Sequence, residues 1–349
     1  MNTKTYPKAL IDGLMSSRQL FAQINQAYWS KFEDHIPAGQ DKYVLVDFLV
    51  THPGYMMGNA IIAKYLQYVH GYKPLVLLPD RKFHWDADIA KSYGFEEFVH
   101  ENDSQTISVS AFDSLPYNNA TSPEALRSMV LGTKLNEIPV GDLIYDSYLS
   151  GESSGTISEI DHKLKQASLG SLYYYSLGNK LFQEYDFGAV IMGHRVYNRF
   201  GVITRMAIDK GIPVYGRKQR SFPAFTVRRD DSIESAMNFE YHFEDSEFNR
   251  ALERITPEML AEAKHGVLHG FNGGLTHEAH NDNRKTLSHE ELCRDLNLDP
   301  NKPIVSIFSH CLTDSPHFCG GNIFDDYLQW LLATLAIAKE NTNVNWILK

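Results

Sequence analysis

The stretch Val190–Tyr215, VIMGHRVYNRFGVITRMAIDKGIPVY, constrains the fold more than any other part of the chain. It reads as one strand–helix–strand unit. An apolar strand runs through Met192, a turn occupies Gly193-His194-Arg195, a helix reaches Lys210, and a second strand covers Ile212–Gly216. Gly211 stands where a helix C-cap glycine belongs, and Pro213 follows as a stop. Open α/β sheets bind ligands outside the carboxyl ends of their strands, and His194 falls at such a strand end.

A second unit of the same kind lies upstream. Tyr43–Val50, YVLVDFLV, is the nearly continuous apolar run of a parallel strand buried on both faces. It ends in Thr51-His52-Pro53-Gly54-Tyr55 and is followed by a helix over Asn59–His70 and a strand over Pro74–Leu78. His52 therefore tips the first strand as His194 tips the later one. Gly54 and Gly58 permit a ligand close to the backbone but do not form the dinucleotide-binding G-x-G-x-x-G pattern.

The remaining chain divides into a helical lead-in over 1–36, a Rossmann-like domain over 37–290, and the start of a second Rossmann-like domain over 300–349. Within the main domain, helices are expected over His84–Gly94 and from Ser122 to about Glu137, with a short strand over Glu96–His100. Ser122 is the N-cap and Pro123 the first helical residue. Asp146 sits in Tyr145-Asp146-Ser147-Tyr148, at the end of the apolar run from Val140, and is read as a strand end. Thr156-x-x-Glu159 and Ser288-x-x-Glu291 are capping boxes, the first opening a helix through Leu164 that precedes a second over 168–184. On a helical wheel Arg205 falls opposite Phe200, Ile203 and Ala207, which predicts a solvated ion pair with Asp209. In the last segment, strand Pro303–Ser309, amphipathic helix Ile323–Glu340 and strand Val344–Leu348 form another parallel unit, ending at Lys349. Two parallel strands make an incomplete sheet. Either the first domain completes this lobe or the second domain is cut short, and truncation is the reading preferred.

Composition excludes several classes. A net charge of −10 and a pI near 5.8 argue against a nucleic-acid partner held by bulk electrostatics. The start, MNTKTYPKALIDGL, has no signal-peptide core, and no apolar run approaches the ~20 residues that span a bilayer. Three cysteines without framework spacing fit a reducing compartment. The expected location is cytoplasmic. Cys311 and Cys319 with His310 and His317 lack zinc-site spacing, so no metal is expected. The basic–aromatic stretch over 216–229 offers peripheral contact with an anionic glycan or the inner membrane face, although a solvated loop is its commoner meaning.

Certain motifs carry a family likeness. Gly193-His194-x-x-Tyr197 with Gly201, Arg205, Ala207 and Gly211-x-Pro213-Val214-Tyr215 resembles the N-terminal domain of bacterial capsule and surface-polysaccharide glycosyltransferases. So do Gly141-Asp142-x-Ile144-Tyr145-Asp146-x-Tyr148-Leu149 and, near the end, Phe308-Ser309-His310, Asp314-x-Pro316-His317, Phe324-x-Asp326-Tyr327 and Asn345-Trp346-Ile347-x-Lys349. The resemblance implies a GT-B fold. Two Rossmann-like domains would face each other, with a nucleotide-sugar donor held mainly by the second and a glycan or lipid-linked glycan acceptor by the first. It implies no cofactor beyond the donor substrate. Related alternatives are a teichoic-acid-type polyol-phosphate transferase, a hexose-nucleotide epimerase and a non-catalytic subunit.

Sugar transfer needs a base for the acceptor hydroxyl and positive charge for the leaving phosphate, tasks suited to histidine and to helix N-termini or cations. His194 is the first choice for base, Asp146 the acidic alternative, and His52 a further cleft residue. Tyr197 would orient His194 or stack on a sugar. Ser309, His310, Asp314 and His317 with Lys349 are the expected substrate contacts on the donor side, with Gly320 and Gly321 allowing close approach of a phosphate.

Overall fold

The computed structural model describes residues 8–37, 41–79, 85–103, 107–150, 155–217, 227–237, 245–271, 287–318 and 322–349. Most of the basic stretch 216–229, together with Cys319, Gly320 and Gly321, lies outside them. Contacts divide the chain into one unit of Met1–Glu240 plus Cys311–Gln329 and another of Tyr241–His310 plus Trp330–Lys349.

The first unit is α/β. Its central sheet has six strands in the order β3-β2-β1-β6-β7-β8, parallel except for the edge strand β8. These are β1 (Tyr43–Asp47), β2 (Lys73–Leu78), β3 (Glu97–His100), β6 (Phe187–Ile191), β7 (Val214–Arg217) and β8 (Val227–Asp230). In β1 successive residues serve opposite faces, as the two-residue period of a strand requires. Val44 and Val46 join the core under α2 (Pro53–His70) and α3 (Trp85–Ser92). Leu45 joins the opposite core, under α6 (His162–Glu184) and α7 (Tyr197–Asp209).

Several boundaries differ from the sequence expectation for identifiable reasons. Helix α2 starts at Pro53 rather than Asn59, because proline at N1 is preset for a helix and His52 stays extended at φ −116°. Helix α4 (Pro123–Leu131) stops before Glu137. The chain turns into the hairpin β4 (Lys134–Leu135) and β5 (Ile138–Pro139) through Asn136 and Glu137, both at positive φ. One helix, α6, replaces the two expected across 159–184. Asp161 caps it by accepting from Leu164 N at 2.8 Å, while the Thr156 box is unused.

The strand expected to end near Asp146 is instead α5 (Gly141–Leu149). Short apolar runs carry no periodicity that separates buried helix from buried strand. Here Leu143, Ile144, Tyr145, Tyr148 and Leu149 pack into a third core with α4 and α6. A Cβ on Gly141 would lie 2.2 Å from the Val130 and Leu131 carbonyl oxygens, so this junction accepts only glycine.

Arg205 is also corrected. It is 4% exposed, and its guanidinium binds both oxygens of Asp142 at 2.6 and 2.5 Å and the Pro139 carbonyl at 2.7 Å. The wheel placed it away from the sheet, and α5 and β5 cover that side of α7.

In the second unit lie α9 (Asp245–Leu252), α10 (Pro257–Phe271) and α11 (His289–Asp295), the last opened by the Ser288/Glu291 capping box as expected. Strands β9 (Ile304–Ile307) and β10 (Asn345–Leu348) pair in parallel. The connecting segment contains α12 (Tyr327–Glu340). Among the described residues no helix is long and apolar enough to cross a membrane.

Candidate functional site

The sheet order reverses between β1 and β6: β1, β2 and β3 step outward one way, β6 and β7 the other. A doubly wound sheet opens its ligand crevice outside the carboxyl ends of the strands at such a point. The loops there are the ones that carry His52 and His194.

Asp47, the last residue of β1, ties them together. It is fully buried and accepts from Leu49 N at 2.7 Å, from Gly193 N at 3.1 Å and from the Tyr55 hydroxyl. Burial pushes its carboxyl above the usual range, and the hydrogen bonds from Tyr55, Leu49 and Gly193 oppose that rise. Gly193 presses against Tyr55, since a Cβ there would lie 2.4 Å from the ring. The next residue but one, Arg195, bonds Asp230 at 2.6 Å and the Met192 carbonyl at 2.8 Å, so the turn around His194 is anchored on both sides. Gly193→Ala is expected to lower unfolding free energy by about 1–3 kcal/mol, as for other overpacked sites. Denaturant titration checks this, and an unchanged midpoint would show that Tyr55 is free to move.

His194 is half-buried, with its ring centroid 5.4 Å from that of Phe200. His52 is exposed and makes no side-chain cap bond. Tyr197 begins α7 at φ +65°, a left-handed conformation that a bulky residue adopts only when its surroundings hold it there. Burial raises its phenol pKa, Ser315 is its hydrogen-bond partner, and Asp314, Asp146 and Cys311 add their charges. Ser147 Oγ accepts from Asn198 N at 2.9 Å and fixes α5 beside the start of α7. Asp146, Tyr197 and Asp314 thus share one neighbourhood, a short step along the chain from His194.

Asp146 itself is engaged. Its Oδ1 accepts from His317 Nδ1 at 2.6 Å, and the other ring nitrogen, Nε2, lies 2.8 Å from the Asp325 carbonyl oxygen. Carboxylate and carbonyl are both acceptors, so the arrangement is satisfied by a doubly protonated imidazolium. Burial works against charge on the ring, yet the bond to Asp146 and its charge raise the His317 pKa above the ordinary value. Burial pushes Asp146 up to about 6 despite the His317 bond.

Two further contacts clamp the same segment. Arg127 donates to Asp325 at 2.7 Å, and Tyr145 donates to Asp326 at 2.6 Å. Asp326 also caps α12, accepting from Gln329 N at 2.9 Å.

Ser309, His310 and Lys349 belong to the second unit. Ser309 Oγ donates to the Lys349 carbonyl at 3.0 Å, which places both at the carboxyl ends of β9 and β10. The Lys349 ammonium lies 6.0 Å from the Phe308 ring centroid. Among the described residues no three His, Cys, Asp or Glu side chains converge as a metal site.

Asp47, Tyr55 and the Arg127–Asp325 and Tyr145–Asp326 contacts are absent from the sequence expectation. Asp47 had a signal, as the one charged residue inside the apolar run YVLVDFLV. A charge in a buried strand needs partners. The chain matches no protein-family model, and comparison with curated proteins finds no match.

Proposed function

We propose that this chain is a glycosyltransferase of GT-B type. It moves a sugar from a nucleotide-sugar donor to a growing surface glycan or lipid-linked acceptor, in the cytoplasm or at the inner membrane face. The observation that carries the reading is the reversal of strand order between β1 and β6, with His52 and His194 on the two loops at that point.

His194 is the base. It takes the acceptor hydroxyl proton as the oxygen attacks the anomeric carbon. The bond from that carbon to the nucleotide's terminal phosphate oxygen breaks, and the nucleotide departs with the electron pair. Asp146 is the weaker choice for this role, because its bond to the His317 imidazolium occupies it. Tyr197 orients the base or packs on the sugar, and Asp314 contacts the sugar hydroxyls. Ser309, His310 and Lys349 are assigned to the donor phosphate, with His317 holding the segment that bears Asp314.

Chromatography of products tests the reading against a polyol-phosphate transferase. Incubation with an acceptor glycan and a panel of nucleotide sugars is expected to extend the glycan by one sugar. Extension from CDP-glycerol alone would overturn it.

A further inference from the structure

Helix α1 (Lys8–Trp29) lies against α3, and between them run two adjoining cavities of about 560 and 340 Å³. Each falls in the range of small-molecule sites, roughly 300–1,000 Å³. Gln26, Lys91 and Ser92 line both, so they form one groove. Two bonds fix its walls: Asn25 Nδ2 donates to Ser92 Oγ at 2.9 Å, and Trp29 Nε1 donates to Asn25 Oδ1 at 3.0 Å.

The lining has a distinct chemistry. Gln19, Gln23 and Gln26 stand at helical spacing along one wall, and a partly exposed Trp29 lines the smaller cavity. Primary amides both donate and accept, which matches a hydroxyl group better than it matches an ion. Charge in the groove is nearly balanced, with Arg18 and Lys91 opposed by Asp88, Glu33 and Glu96. Beside it Asp86 is fully buried, neither of its carboxylate oxygens has a partner among the described residues, and Arg18 acts on it by its charge. A ligand with many hydroxyls fits these surroundings, and an anion does not.

We propose that the α1/α3 groove binds a neutral oligosaccharide, as a remote subsite for the acceptor glycan of the transferase reading on which this rests. The amides of Gln19, Gln23 and Gln26 hydrogen-bond successive sugar hydroxyls.

Calorimetric titration of the full chain with maltohexaose, cellohexaose, chitohexaose and mannohexaose tests this. At least one is expected to bind at one site per chain. The triple variant Gln19→Ala, Gln23→Ala, Gln26→Ala, all on an exposed face, should weaken it at least ~10-fold, the effect of about 1.4 kcal/mol. His194→Ala should leave it unchanged. Binding by none of the four, equal binding by the triple variant, or loss of binding in His194→Ala would each overturn the subsite. Failure of the subsite leaves transfer to a short acceptor intact, so it is separable from failure of the transferase reading.

Discussion

His194→Ala is expected to lower sugar transfer at least ~100-fold, the low end for loss of a general base, while leaving circular dichroism and the melting transition in place. The two halves of this expectation have separate physical grounds. The turn that carries His194 is held by its neighbours, through the Gly193 amide on Asp47 at 3.1 Å and the Arg195 bonds to Asp230 and Met192 at 2.6 and 2.8 Å. None of these bonds uses the imidazole, and all of them remain when the ring goes. The ring itself stands half-buried at the carboxyl end of β6, where an acceptor hydroxyl would arrive. As the proposed base, His194 acts on the proton-transfer step, so in its absence kcat should fall with little change in donor KM. Unchanged turnover would remove His194 from the mechanism. An Asp146→Asn variant then becomes the informative comparison.

Asp146→Ala should have the largest effect on stability, about 3–5 kcal/mol, the usual result of removing one member of a buried ion pair. Asp146 is 1% exposed, and without it the His317 imidazolium loses its carboxylate partner. The loss should be localised as well as global. The segment over 311–329 is held to its unit by His317–Asp146, Arg127–Asp325 and Tyr145–Asp326. Limited proteolysis of the variant should cut first between residues 311 and 318.

The pH dependence follows from the signs. Both His317 and Asp146 have folded-state pKa values above their ordinary ones. The folded state therefore holds more protons than the unfolded state, and stability from this pair falls as pH rises. Asp146 contributes its share of the fall between its usual value and about 6. His317 contributes above the ordinary histidine pKa of about 6.5. The difference in unfolding free energy between wild type and His317→Gln should shrink as pH is raised from neutral to about 9. A difference that grows with pH would mean that the ring is neutral in the folded protein.

The parts of the molecule that read directly from the sequence are those in which local pattern and tertiary role coincide. Val44–Val46 and Val190–Met192 are apolar without interruption because both faces of the sheet are covered. Gly211 at φ +71° and Pro53 at the first turn of α2 mark helix ends by backbone constraint alone. The misreadings have a common origin in contacts that no local window contains. Arg205 looks solvated until Asp142, 63 residues away, is known to lie opposite it. Asp146 looked like a strand terminus because its apolar neighbours fit either period. Its partner His317 is 171 residues distant, so neither residue alone announces the pair. The sequence puts His52 and His194 at strand ends, but only the strand order brings their loops side by side at the carboxyl edge of the sheet.

The central claim is that the acceptor binds at the carboxyl ends of β1 and β6. The most direct measurement is histidine-ring NMR on protein labelled at the imidazole carbons, with His52→Gln and His194→Gln variants to assign the signals, titrated with nucleotide sugars and an acceptor glycan. Acceptor binding is expected to move the His194 resonance, with a smaller change at His52. Saturable binding of acceptor and donor that leaves both rings unmoved would contradict it.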